Sequence, residues 1–273
     1  MDVAESEAKA RWVRHQVLEM IAGARRGHIG GSFSSTDILV ALYYGGLLRF
    51  DSSNPEWELR DRFIMSKGHS AEALYAVLAG VGFFDIEVLR TYGESGSILG
   101  GHVDHNLSGI EVSTGSLGHG LGIAAGLALA AKLDRKDYLS VVLLGDGECY
   151  EGSIWESAMF GAHQGLGKLV AIIDRNRQIT LDYTEDANRL DPLLQKWEAF
   201  GWEAVELNGH AFEDIFRAWE HVRARQSDRP IVLIANTIKG KGVSFMEGDL
   251  AWHHNVPSGE QLEIARRELE IDV

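Results

Sequence analysis

The run Val141-Val142-Leu143-Leu144-Gly145-Asp146-Gly147 decides the fold. Val141 to Leu144 has no polar face, which marks a strand in a parallel sheet covered on both sides. It stops at Gly-Asp-Gly, where glycine lets backbone N–H groups turn toward an anion. A second run, Leu169-Val170-Ala171-Ile172-Ile173, stops in the same way at Asp174-Arg175-Asn176, and Ile154 to His163 between the two has helical spacing. Working outward, Arg62 to Met65 is a short strand ending in Ser66-Lys67-Gly68-His69, with a helix from Ala71 to Leu78 after it. Ala204 to Leu207 and Ile231 to Ala235 are two further strands, separated by a helix from Phe212 to Arg223. Alternation of this kind predicts an α/β fold, a doubly wound and mostly parallel sheet flanked by helices. Residues 1–273 are expected to form a single domain. In such sheets ligands sit at the carboxyl ends of the strands, so the loops after Leu144, Ile173 and Ala235 are where chemistry is expected.

The remaining segments carry weaker signals. Ala8 to Ala24 has apolar residues at helical spacing. Arg26-Gly27-His28-Ile29-Gly30-Gly31 reads as a glycine loop, with Ser35 or Thr36 expected to cap the following helix. Gly93 to Gly115 reads as loop, and the small residues of Leu117 to Leu133 suggest a buried helix in close backbone contact with a neighbour.

Composition bounds the function. The chain has 273 residues, 26 Lys and Arg against 40 Asp and Glu, a net charge of −14, and 45% hydrophobic residues. This is ordinary globular composition. So acidic a surface argues against nucleic acid, whose binding draws on Lys and Arg displacing counterions. One cysteine, Cys149, excludes a disulfide framework and a cysteine-only zinc site. No signal peptide is visible between Met1 and Arg14, and no run approaches the roughly 18–20 apolar residues that span a bilayer, so no membrane contact and a cytoplasmic location are expected. There are 31 glycines and only 4 prolines, without linker-like runs, so the glycines are read by position.

Asp146 and Asn176 offer a carboxylate and an amide oxygen at the ends of successive strands. Mg2+ takes oxygen ligands and leans on substrate phosphates. Either residue alone is more simply a turn or a loop cap; together they point to a metal–diphosphate site. At this point the sequence resembles a known family. Gly145-Asp146-Gly147 with Asn176 is similar to the thiamine-diphosphate signature, and Gly145 through Gly152 to that of transketolase in particular. Arg26-Gly27-His28, Ser66-Lys67-Gly68-His69, Gly101-His102-Val103-Asp104, Ser113-Thr114-Gly115-Ser116-Leu117-Gly118, Lys239-Gly240-Lys241-Gly242-Val243-Ser244-Phe245 and Trp252-His253 extend the resemblance over residues 10–260.

The resemblance implies thiamine diphosphate and Mg2+ as cofactors and transfer of a two-carbon ketol unit from a ketose donor. It covers only the diphosphate-binding half of a transketolase. It therefore implies a split enzyme in which a second subunit carries the pyrimidine-binding domain and the activating glutamate, assembled as a dimer of heterodimers. Carried over residue by residue, Asp146, Asn176 and the carbonyl of Gln178 would ligate Mg2+. Gly147, Glu148, His69, Gly115, Ser116, Leu117, Asn176, Lys239 and His253 would contact the cofactor. His28, His102 and His253 would surround the reacting carbons, and Glu151 would lie at the subunit interface near the partner's glutamate. Histidine suits proton transfer at neutral pH. His119 is a weaker candidate, and His15, His105, His163, His210 and His221 read as surface or structural.

The sequence departs from the family pattern after Asn176. Arg177-Gln178-Ile179-Thr180-Leu181-Asp182-Tyr183 reaches its aspartate one residue late and lacks the glycine that follows it, which implies an altered loop over the cofactor. His254 stands where glycine is usual, so it competes with His253 for the same role; Ile29 and Val103 stand where prolines are common. Other readings remain: a 1-deoxyxylulose-phosphate-synthase-like or 2-oxo acid decarboxylating subunit, and a silent cofactor-binding regulatory partner. The histidine set and the Ser113–Leu117 motif favour transketolase.

Overall fold

Strands β1 (Arg62–Met65), β2 (Ser140–Gly145), β3 (Leu169–Arg175), β4 (Glu203–Asn208) and β5 (Ile231–Asn236) form one all-parallel sheet in the order β1-β2-β3-β5-β4. They are seen in a computed structural model that describes residues 1–270. β2 and β3 are buried almost throughout, as continuous apolar runs require. The helices are α1 (Val3–Ala24), α2 (Ile29–Tyr43), α3 (Ala71–Gly80), α4 (Gly120–Asp134), α5 (Gly152–His163), α6 (Thr184–Ala187), α7 (Leu193–Ala199), α8 (Phe212–Ala224) and α9 (Glu260–Glu268). Alternate strand residues feed two cores. Val141, Leu143, Val170 and Ile172 pack with α1, α2, α3 and α8, while Val142, Leu144, Ala171 and Ile173 pack with α4, α5 and α7.

Local chemistry accounts for the elements. α1 opens with a reciprocal capping box: Glu5 N–H donates to Asp2 at 2.8 Å, and Asp2 N–H donates to Glu5 at 2.9 Å. α8 buries Phe212, Ile215, Trp219 and Val222, one stripe at helical spacing. α2 differs, since every one of its residues is buried. It starts at Ile29, so the expected Arg26–Gly31 loop ends three residues early, and Ser35 and Thr36 lie inside the helix and do not cap it. Their hydroxyls donate back to Gly31 and Ser32 carbonyls at 2.8 and 2.9 Å. Gly30 serves contact: a Cβ there would fall 2.5 Å from the Trp252 carbonyl.

The expected buried helix over Leu117–Leu133 begins at Gly120 and is buried on one face only. Gly120 lies directly against Ser66, but Gly122, Ile123, Gly126 and Leu133 face outward, and a Cβ on Gly126 would meet nothing. Among the described residues no helix is long and apolar enough to cross a membrane.

Candidate active site

Four parallel strands end on one cavity of about 250 Å3. β1 delivers Lys67 and His69, β2 delivers Asp146 and Gly147, β3 delivers Asn176 and Gln178, and β5 delivers Lys239. The start of α2 adds His28, and the Leu250–His253 turn adds His253. This is the position that parallel-sheet topology sets aside for ligands.

The floor of the cavity is a buried ionic network. Lys67 pairs with Asp174 and donates to the Gly31 carbonyl at 3.0 Å. Asp174 also accepts from Thr237, and from Ser34 at 2.6 Å. The Asn176 amide nitrogen lies 3.3 Å from Asp174, which turns the amide oxygen away from that carboxylate, and that oxygen accepts Gln178 N–H at 3.1 Å. Asp146 accepts Gly147 N–H at 2.8 Å and Arg177 N–H at 2.6 Å. Burial, with the charge of Asp174 beside it, pushes the Asp146 carboxyl up to about 6 against the pull of Arg175. A cation is the natural relief for such a site.

The histidines gather around His28. Its ring centre lies 5.3 Å from His69, 5.8 Å from His102, 5.5 Å from His253 and 6.4 Å from His254. Burial, then the neighbouring charges of His102 and His254, hold His28 down to about 4. Burial and Lys239 hold His253 down to about 3, and burial and Lys67 hold His69 well below the usual imidazole range. The three are neutral donors and acceptors at pH 7. Lys239 is pushed down to about 8 by burial and Lys67, and donates to the Gln178 and Ile179 carbonyls at 3.1 and 3.3 Å.

Most of the expected residues line the cavity: His28, His69, Gly115, Leu117, Asp146, Gly147, Glu148, Asn176, Gln178, Lys239 and His253. Between the two adjacent histidines, His253 lines it and also lies 3.2 Å from the Thr180 hydroxyl. His102 and Ser116 are exposed, His102 against Gly115. Glu151 is exposed at the start of α5, and the cavity does not include it. Glu148 is buried, and its carboxylate accepts from Ser66, Gly118 N–H at 2.9 Å and Gly145 N–H at 3.0 Å. It therefore ties three loops together. His210, read as surface or structural, is set between Asp37 at 2.6 Å and Ile238 N–H at 2.8 Å.

Sequence reading left Lys67, Asp174 and Arg175 without roles. All three carried one signal, being charged residues at or just past the end of an apolar strand.

The arrangement fits a metal diphosphate. Asp146, the Asn176 amide oxygen and the Gln178 carbonyl offer the all-oxygen set that Mg2+ takes. A Cβ on Gly147 would lie 2.5 Å from Ile179, so only glycine keeps that wall close. Around the cavity, His28 Nδ1, His253 Nδ1, Gln178 Oε1 and Ser70 Oγ are buried without a partner. Orphaned groups of this kind await a ligand.

A parallel α/β unit with these groups at its strand ends is a diphosphate-cofactor-binding domain. Comparison with known proteins agrees: the family described as transketolase, thiamine diphosphate binding domain, matches residues 5–272. The chain belongs to the transketolase family. It is 47% identical over 98% of its length to an apulose-4-phosphate transketolase subunit of Phocaeicola vulgatus, of which it covers 95%. It is 43% identical over 96% of its length to the 6-deoxy-6-sulfo-D-fructose transketolase subunit of Clostridium sp. (strain MSTE9), again covering 95% of that protein. The crystal structure of transketolase from Campylobacter jejuni superposes with a TM-score of 0.93 at 29% identity; the match covers 100% of this chain and 44% of that one.

Proposed function

We propose that residues 1–273 form a single diphosphate-binding domain that holds thiamine diphosphate and Mg2+ in a two-chain transketolase. The enzyme moves a two-carbon ketol unit from a ketose donor to an aldehyde acceptor. The observation that carries this reading is the histidine cluster around His28, which faces the same cavity as Asp146 and Asn176. When bound, the cofactor supplies the electron sink for C–C cleavage. This chain supplies the rest. Asp146, Asn176 and the Gln178 carbonyl hold the metal. Gly147 lets the diphosphate approach the backbone. Neutral His28 and His253, with His102 beside them, give and take protons at the ketose hydroxyls and hydrogen-bond the oxygen that gains charge.

The need for a partner has a local argument. The carboxylates lining the cavity are Asp146 and Glu148, and each is already bound by hydrogen-bond donors. Neither is free to activate the cofactor. A partner subunit with the pyrimidine-binding domain would bring that glutamate, and Glu151, exposed at the start of α5, would meet it. Two such pairs would form a dimer of heterodimers. A cytoplasmic location suits a chain whose single cysteine is buried and unpaired.

Co-purification with the partner subunit, followed by a donor–acceptor screen with thiamine diphosphate and Mg2+, tests the reading. Transfer that requires both chains and both cofactors is expected. Release of carbon dioxide from a 2-oxo acid without ketol transfer would favour the decarboxylating class, and cofactor binding without turnover would leave a regulatory role.

A further inference from the structure

We propose that Arg175 is a positioning residue that locks the metal carboxylate Asp146 to the 177–191 loop, so that metal binding and loop closure stabilise each other. The proposal rests on the reading of Asp146 as a metal ligand. Arg175 sits in β3, and its side chain is only 1% exposed. Nη1 lies 3.3 Å from Asp146 Oδ2 and 2.8 Å from Thr184 Oγ1. Nη2 lies 2.5 Å from Glu185 Oε1 and 3.2 Å from Asp191 Oδ1. One rigid fork of donors therefore spans the end of β2, the middle of the loop at Thr184 and Glu185, and its far end at Asp191.

The loop returns to the same carboxylate. Arg177, at φ 64°, donates its N–H to Asp146 at 2.6 Å. Gln178 bridges Tyr183, and Thr184 N–H closes on the Arg177 carbonyl at 3.0 Å. The closed loop sets Ile179 against Gly147 and Thr180 against His253. Asp146 is thus connected through Arg175 and Arg177 to side chains on the cofactor wall and beside a reacting histidine. This is the segment whose length departs from the family pattern, and Arg175 is what fastens it.

The opposite expectation is also physical. A guanidinium beside a metal carboxylate competes with the metal, and its removal would then tighten binding. Positioning and competition give opposite signs, so one measurement separates them. The chain co-purified with its partner subunit is titrated with Mn2+ in the presence of thiamine diphosphate and read by electron paramagnetic resonance. In parallel, trypsin cleavage at the exposed Arg177 and Arg189 is timed with and without Mn2+ and cofactor. We expect Arg175→Lys, which keeps the charge but loses the fork, to weaken Mn2+ binding about tenfold. The protection from trypsin that metal and cofactor give the wild type should disappear with it. Glu185→Gln, at a half-buried site where misfolding is not at issue, should lose the protection with a smaller loss of affinity. Unchanged or tighter Mn2+ binding in Arg175→Lys, or retained protection in both variants, overturns the proposal. Asp146→Asn separates the two layers. If it leaves Mn2+ binding unchanged, the metal-site reading falls and takes this proposal with it. If it abolishes binding while Arg175→Lys does not weaken it, only the role of Arg175 falls.

Discussion

At His28, sequence position, burial and neighbours act together. It caps no hydrogen bond at the start of α2, and its backbone N–H is held by the buried Glu72 at 3.1 Å. Its ring is packed among three other imidazoles that line or rim the cavity. Held down to about 4, it is neutral at pH 7 and keeps a buried nitrogen without a partner. On the proposed reading, this group serves the reacting sugar and not the metal diphosphate. His28→Ala is therefore expected to lower kcat by about 100-fold or more while the dissociation constant of thiamine diphosphate stays within about twofold. Steady-state kinetics and calorimetry on the two-chain complex check this, and equal losses in both would assign His28 to cofactor binding.

At the scale of elements, α1, α2 and the turn before α8 are joined by one buried ionic cluster. Arg14 on α1 meets Asp37 on α2 through two hydrogen bonds, at 2.6 and 3.0 Å, and His210 lies 2.6 Å from the same carboxylate. Burial works to raise the Asp37 carboxyl, but Arg14 and His210 outweigh it and hold it below its ordinary value. A depressed folded-state value means that the stabilisation is complete above the unfolded carboxylate range, near pH 4, and is lost as pH falls through the folded value. Asp37→Asn is expected to cost about 3 kcal/mol at pH 7, because it strands a buried guanidinium. Its urea unfolding midpoint should vary less with pH below about 4 than that of the wild type. A midpoint unchanged at pH 7 would show that the cluster contributes nothing net. The sequence shows where such elements run but not what joins them. β2 and β3 were legible because an uninterrupted apolar run has few other uses, and Asp146 and Asn176 were legible because they end those runs. The start of α2 was not. Gly30 and Gly31 read as a turn, whereas they make room for Trp252 and Ser70. The role of Arg175 was invisible because its partners lie 9 to 29 positions away along the chain and meet only in the fold.

Over the whole molecule, the outward apolar surface is unevenly placed. Ile123 and Leu133 on α4 are 38% and 74% exposed, and Met159 and Phe160 on α5 are 54% and 41% exposed. Gly122 and Gly126 lie exposed beside them on α4, so another backbone can approach closely there. The two helices pack together, Glu151 is exposed at the start of α5, and Leu181 and Ile238, 86% and 39% exposed, adjoin cavity residues Thr180 and Lys239 in the chain. Apolar side chains exposed on two packed helices are what a docking face for another subunit needs. If that face docks a second subunit, Ile123→Asp with Met159→Asp inserts two charges into the joint. Neither residue belongs to the core, so the isolated chain should keep its unfolding midpoint, with each substitution costing within about 0.5 kcal/mol. The assembled enzyme should instead become concentration-dependent. Sedimentation should show dissociation at concentrations where the wild type is intact, and ketol transfer should fall with it and recover as protein concentration rises. Recovery is the discriminating feature, because damage to the catalytic groups would lower activity equally at every concentration. Intact assembly and full activity in the doubly charged variant at high dilution would place the joint on another face.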